Sequence, residues 1–408
     1  MLKEVDPVNS NNNFTVKKTL EIKPIKRSDI IVSQILYLLI AFYAPIALFF
    51  DIYTTPLQVI SIAAAAASII IFAKLSRSTK TAVSYSLILV AAFAFVGPVL
   101  CGLIASFIGS VCALSYSLIK AKNLQIKLFA IAPSLVAYLA ASALLGNFVF
   151  SLVSLAHIPA ALALGYAFSK GVDRVSSICR TSAAIMLTAI IPASIYFILK
   201  YGTDFSVLST IIESLKESTT NLLADTLYML YSEMTELGIS MSMTDATDLS
   251  TYAVNAAFNL LPALIVIIAN LISFALQSML TSILIVGETD KAKITKMVVF
   301  EMSLISAIVF LISFIAMFAL STSGISVWAV TAENIALILM PGLLFSAFAA
   351  FRGFIFIKSR SCFGVILYLV SIMMIFYIPT VIIPLASFAG AVLIILNNIS
   401  KYRANHKK

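Results

Sequence analysis

Apolar stretches of about 20 residues recur along nearly the whole sequence, separated by short polar segments. At a rise of roughly 1.5 Å per residue, a helix of that length crosses the hydrocarbon core of a bilayer. Lipid offers no hydrogen-bond partners, so each crossing has to satisfy its own backbone, which a helix does within one run. Composition agrees: 61% of residues are hydrophobic and 11% charged, where soluble domains carry about 25% charged residues. That balance excludes a soluble enzyme, a disordered chain and a fibrous protein.

Spans are expected near residues 31–50, 57–73, 82–97, 98–119, 127–145, 148–169, 181–199, 259–286, 297–320, 334–357, 363–380 and 381–397. The stretches 82–119, 127–169 and 363–397 are too long for one crossing. They divide at Gly97-Pro98, Gly146-Asn147 and Pro379, because Gly and Pro punctuate helices. The short run 82–97 has a re-entrant segment as its alternative.

Lys and Arg provide an independent check, since they are enriched in cytoplasmic loops. With the N-terminus inside, 25 of the 27 fall in inner segments, and Lys200 and Lys216 are the exceptions. Removing any one span would move every later basic cluster to the outer side. The sequence therefore reads as all-α: a polytopic transmembrane helix bundle of about 12 spans, both termini cytoplasmic, in the plasma membrane of a prokaryote. The net charge of +9 is scattered along the cytoplasmic rim, where it sets topology and meets anionic membrane lipids. It forms no single face, so nucleic acid is not an expected partner.

Five regions follow. Residues 1–30 are a polar cytoplasmic tail without the apolar core of a cleaved signal peptide. Residues 31–199 hold spans one to seven, 200–258 an acidic amphipathic extracytoplasmic loop, 259–397 spans eight to twelve, and 398–408 a basic cytoplasmic tail. The loop carries a net −6, with Leu208, Ile212, Leu215, Leu222 and Leu223 at helical spacing, which predicts one or two amphipathic helices. Residues 240–250 are expected to be irregular. The loop is read as packing on the span ends, with a lid over an outward cavity as the alternative. Residues 205–250 are also a candidate docking segment for a membrane or extracytoplasmic protein partner. Asp245-x-x-Asp248 lacks the spacing of an EF-hand calcium loop.

Ionisable groups inside spans are functional-site candidates because burying them in hydrocarbon is costly. His157 lies near the middle of the sixth span, and a histidine hydrogen-bonded to a neighbouring helix is weighed against solute contact or proton relay. Glu301 and Arg352 are a candidate buried ion pair, with snorkelling to the rim as the alternative. Asn255, Asn259, Asn270 and Gln277 mark the eighth span and its approach, where amides either glue helices or line a cavity. His157, Asn259 and Asn270 are the candidate substrate-binding residues. The fourth span carries small residues at Gly102, Ser106 and Ser110 and at Ala105, Gly109 and Ala113, a pattern that predicts close helix packing.

Several chemistries lack their residues. There is no G-x-x-x-x-G-K-[ST] run and no H-E-x-x-H, and no span carries paired carboxylates. Cys101, Cys112, Cys179 and Cys362 show no zinc-ligand spacing and are read as packing residues. No catalytic residue, metal or cofactor is expected, and the chain is not read as an enzyme.

The segments HIPAALALGYAFSKGVDR (His157 to Arg174) and LLPALIVIIANLIS (Leu260 to Ser273), and the run from Asn334 to Tyr402, resemble the YybS-like family of bacterial membrane proteins. The resemblance lies in span order and Pro/Gly placement and transfers no site residue. The family is in part similar to the substrate-binding subunits of energy-coupling factor transporters. That likeness implies binding of a small vitamin-like solute and coupling to a separate ATPase module. Those subunits present an Ala-x-x-x-Ala face on their first helix; the alanine run here, Ala63 to Ala67, is in the second span. The leading expectation is a transporter-like protein that binds a small-molecule solute between its helices. A non-transporting scaffold or regulator of cell-envelope or sporulation processes is the alternative, and a flippase for lipid-linked precursors is third.

Overall fold

The computed structural model describes residues 27–49, 54–76, 79–120, 124–146, 148–204, 206–233, 242–284, 300–322, 326–358 and 378–406. Among them the regular structure is helical throughout. In chain order the helices are α1 (Arg27–Phe49), α2 (Thr55–Ser76), α3 (Thr79–Lys120), α4 (Leu124–Leu145), α5 (Phe148–Ser151), α6 (His157–Lys170) and α7 (Arg174–Tyr201). They continue as α8 (Ser206–Glu233), α9 (Met243–Leu284), α10 (Leu304–Thr322), α11 (Ser326–Lys358) and α12 (Pro379–His406). A 3-10 turn, Leu152–Leu155, lies between α5 and α6.

Among the described residues, seven helical segments are long and apolar enough to cross a membrane, and Ile31–Ala47 and Leu304–Leu320 are shorter apolar helices. The faces they turn outward are rich in large apolar side chains, such as Leu139, Leu199 and Ile305. Their interiors hold alanines and buried hydroxyls, including Ser68, Ser115, Ser134 and Ser273. Apolar outside and small or polar inside is the arrangement that lipid favours, since the bilayer gives no hydrophobic incentive to hide Leu or Ile. The chain is a polytopic helical membrane protein.

Several expected spans take a different form. The division at Gly97-Pro98 is a kink inside α3, where Gly97 has φ 78° and ψ 171°. A side chain there would be strained, and the residue before a proline is disfavoured in the α conformation. Tyr43 of α1 donates to the Val99 carbonyl just past the kink, 3.3 Å away. The sixth span, 148–169, is a broken segment: one turn of α-helix, one 3-10 turn, then α6. Residues 243–250, expected to be irregular, belong to α9. The reason is a reciprocal cap. The Asp245 N–H donates to Ser242 Oγ (3.1 Å), while the Ser242 hydroxyl donates to Asp245 Oδ2 (2.6 Å). Residues 363–377 of the span expected at 363–380, and residues 1–26 of the tail expected at 1–30, lie outside the described residues.

Buried apolar residues form two clusters among the described residues. The first joins α1 to α4 and α6, and α9 completes it with Leu276 and Leu280. Here the small-residue face of α3 is buried as expected, with Gly102, Ala105, Ser106, Gly109, Ser110 and Ala113 all inaccessible. The second cluster joins α10, α11 and α12 through Phe310, Leu343 and Ala391. Helix α9 packs against both α7 and α11 and so belongs to each half.

The turn between α6 and α7 is closed from both sides. Gly171 takes the left-handed conformation that ends α6, and Asp173 caps α7 by accepting from the Ser176 N–H at 2.9 Å. Partial burial works against the Asp173 carboxylate. The hydrogen bonds from Ser176 and the nearby Arg180 guanidinium outweigh it and hold the carboxyl below its usual range. Asp173→Ala is expected to cost about 1 kcal/mol at neutral pH. A group with a depressed folded value stabilises above the ordinary carboxylate range near about 4, and that contribution is lost as pH falls through the folded value. Thermal melts of both proteins in detergent should therefore converge on acidification. A gap that persists at acid pH would show that the cap acts without its charge.

Candidate functional site

The break in the sixth segment places His157 at the start of α6, where it is 4% exposed. Its Nε2 lies 2.7 Å from the Tyr37 hydroxyl of α1 and 2.8 Å from the Ser134 hydroxyl of α4. The two hydroxyls also hydrogen-bond each other, and the Tyr37 ring meets the imidazole edge-on at 5.3 Å. Three separate elements thus converge on one nitrogen. Each hydroxyl is donor and acceptor, so both neutral tautomers satisfy this group.

Beside it is a cavity of about 370 Å³ bounded by α1, α3, the broken segment, α7 and α9. Its walls are mostly aliphatic, including Ile40, Leu103, Ile185 and Ile272. The polar lining is Ser106, Ser110, Ser154 and His157. A discontinuous helix beside a cavity inside a helical membrane protein is a recurrent way of building a solute site.

The candidate residues named from sequence do not converge. Asn270 lines a different, apolar cavity of about 150 Å³ between α7, α9 and α11, together with Phe274, Met302 and Phe345. The cause is helical phase: α9 gives Ile272 to the His157 cavity, and two residues amount to about 200° around the axis. Asn259 is exposed and lies 13 residues before Ile272, or about 20 Å along α9. Its backbone carbonyl, not its amide, is engaged, accepting from Asn334 Nδ2 at 2.9 Å. Glu301 is exposed and precedes α10 instead of lying within it. Arg352 is on α11, and its side chain lies outside the described ones, as does any pairing with Glu301. The described residues of the acidic segment contribute no wall to the His157 cavity. Its helix α8 packs instead on α9.

Tyr37, Ser134 and Ser154 escaped the reading of the sequence, which weighed ionisable groups and amides, and Ser106 and Ser110 were read there only as packing residues. The contacts to His157 span 120 and 23 residues, so no local spacing reveals them. Arg174, read as one more cytoplasmic cation, reaches across to α9. Its Nε donates to Gln277 Oε1 at 3.0 Å and its Nη2 to Ser278 Oγ at 2.7 Å, with the guanidinium 4.6 Å from the Phe274 ring centre. Gln277 is thus helix glue, one of the two roles its amide suggested. Among the described residues no group of His, Cys, Asp and Glu is arranged to hold a metal ion.

Comparison with family models, with curated proteins and with solved structures finds no match.

Proposed function

We propose that this chain is a non-enzymatic transport protein of a prokaryotic plasma membrane, with both termini inside, that binds a small solute in the cavity beside His157. The observation that carries the reading is the broken segment before His157, which interrupts a helical wall next to a half-open, sparsely polar cavity. An unbroken α-helix through 148–170 would satisfy its own backbone and pack more tightly, so the irregularity calls for a role. Kinship with the YybS-like family belongs to the same proposal and rests on the sequence segments.

The test is a thermal-shift screen of the purified chain against vitamins, nucleobases, amino acids and lipid precursors. A solute at 100 times its dissociation constant should stabilise by about 2.7 kcal/mol, and His157→Ala should remove most of that shift. If a solute stabilises the parent and His157→Ala equally, the cavity is not its site.

A scaffold or regulator is the second reading, favoured by one observation. Helix α8 leaves Leu215, Leu222 and Met229 more than half exposed on a segment that carries Glu213, Glu217 and Asp225. Deletion of 205–250 separates the two: solute binding survives in a transporter, whereas a scaffold loses its partner.

A further inference from the structure

We infer that the solute of the His157 cavity is an uncharged, largely apolar molecule carrying a hydrogen-bond donor such as an alcohol or amide; this rests on the site proposed above. Among the described residues, no Asp, Glu, Lys or Arg lines the cavity. A charge seated against this wall would lose part of its hydration without gaining a charged partner, which is disfavoured in apolar surroundings.

The polar lining sorts by what it has left to offer. The Ser106 hydroxyl donates to the Leu103 carbonyl at 2.9 Å, and the Ser154 hydroxyl to the Ser151 carbonyl at 2.7 Å. Both donors are spent within their own segments, so these oxygens face the cavity as acceptors. Ser110 is 2% exposed, lines the same wall, and has no hydrogen-bond partner among the described residues. His157 uses Nε2 on Tyr37 and Ser134 and leaves Nδ1 without a described partner. The two fixed acceptors suit a ligand O–H or N–H and repel a carboxylate, while the free Ser110 hydroxyl can donate to or accept from the same neutral polar group.

The start of α6 does not reverse this. Ala156, before it, has φ −57° and ψ −30°, so the chain enters α6 already helical. The extended cap residue that usually presents free N–H groups to an anion is missing there. The aliphatic walls then require that the remainder of the ligand be apolar.

The test uses the full chain in detergent at neutral pH with four probes that share one skeleton: naphthylmethanol, naphthylmethylamine, naphthoate and naphthalene. Equilibrium binding of each is measured to the parent and to Ser110→Ala, Ala44→Trp and Ser110→Leu. Naphthylmethanol should bind about a hundredfold more tightly than the ammonium or the carboxylate. Ser110→Ala should weaken it about fivefold towards naphthalene. Ala44→Trp fills the cavity from α1 and Ser110→Leu from α3, so either folded variant should abolish its binding. Naphthoate or the amine binding as well as the alcohol, and lost on filling, overturns the solute class and leaves the site standing. Alcohol binding that survives both fillings, or no binding by any probe, overturns the site and the class together.

Discussion

Gly390→Ala should cost about 3 kcal/mol and deplete the folded protein recovered from membranes. A β-carbon at 390 would overlap the Leu343 carbonyl oxygen, lie 3.1 Å from the Leu343 carbonyl carbon and press on Ala347 Cβ at 3.3 Å. The obstacle is backbone of α11, which no rotamer change moves away. α12 would have to withdraw, opening the cluster of Phe310, Leu343 and Ala391 that holds the second half together. Gly342→Ala is the matched control. Its β-carbon meets Met302 Sδ at 2.7 Å and Cε at 2.9 Å, the flexible end of a side chain that swings aside. Size-exclusion profiles and melting temperatures in detergent should show the first variant impaired and the second near the parent. Equal penalties would mean that the α11–α12 approach is not set by the glycine.

Asn334→Leu should destabilise by about 2 kcal/mol, because one amide closes a gap in another helix. Its Oδ1 accepts from the Ala263 N–H at 3.0 Å, while its Nδ2 donates to the Asn259 carbonyl at 2.9 Å and to Val330 of its own helix at 2.8 Å. Asn259 and Ala263 are the two ends of one turn of α9, and that turn contains Pro262. Proline lacks an N–H and crowds the preceding turn, so the local backbone needs outside partners. Leucine keeps the γ-branched outline and removes the bonds. Hydrogen exchange at Ala263 should accelerate, and pairing the change with Pro262→Ala should show coupling in a double-mutant cycle. Unaltered exchange at Ala263 would show that the turn closes itself without the amide.

These two predictions turn on residues that the sequence hardly advertises. The helical membrane character was legible because it depends on composition and run length, which are local and additive. An interruption at Gly97-Pro98 was legible for the same reason, although the division between spans expected there is a kink inside α3. The capped start of α9 at Ser242 was present as S-x-x-D and was obscured by the polar run around it. The broken sixth segment left no such mark. Pro159, in the third position of α6, cannot bond back to the turn before it, but proline lies in other helices here without a break. The partners that His157 meets, Tyr37 and Ser134, are not encoded nearby. Asn270 and Ile272 went to opposite cavities because facing is a matter of tertiary packing, which a list of polar residues does not encode.

The shared role of α9 has a consequence for biosynthesis. Leu276 and Leu280 are fully buried members of a core otherwise built from α1 to α4 and α6. At ordinary elongation rates, the ribosome reaches them on the order of ten seconds after Phe168 of α6. During that interval the first bundle stands in the membrane with an open flank, and lipid or the insertion machinery has to occupy the groove. A ribosome stalled anywhere between α7 and α9 leaves an incomplete bundle that membrane proteases are equipped to recognise. The first bundle is therefore complete only once translation has passed the second half of α9.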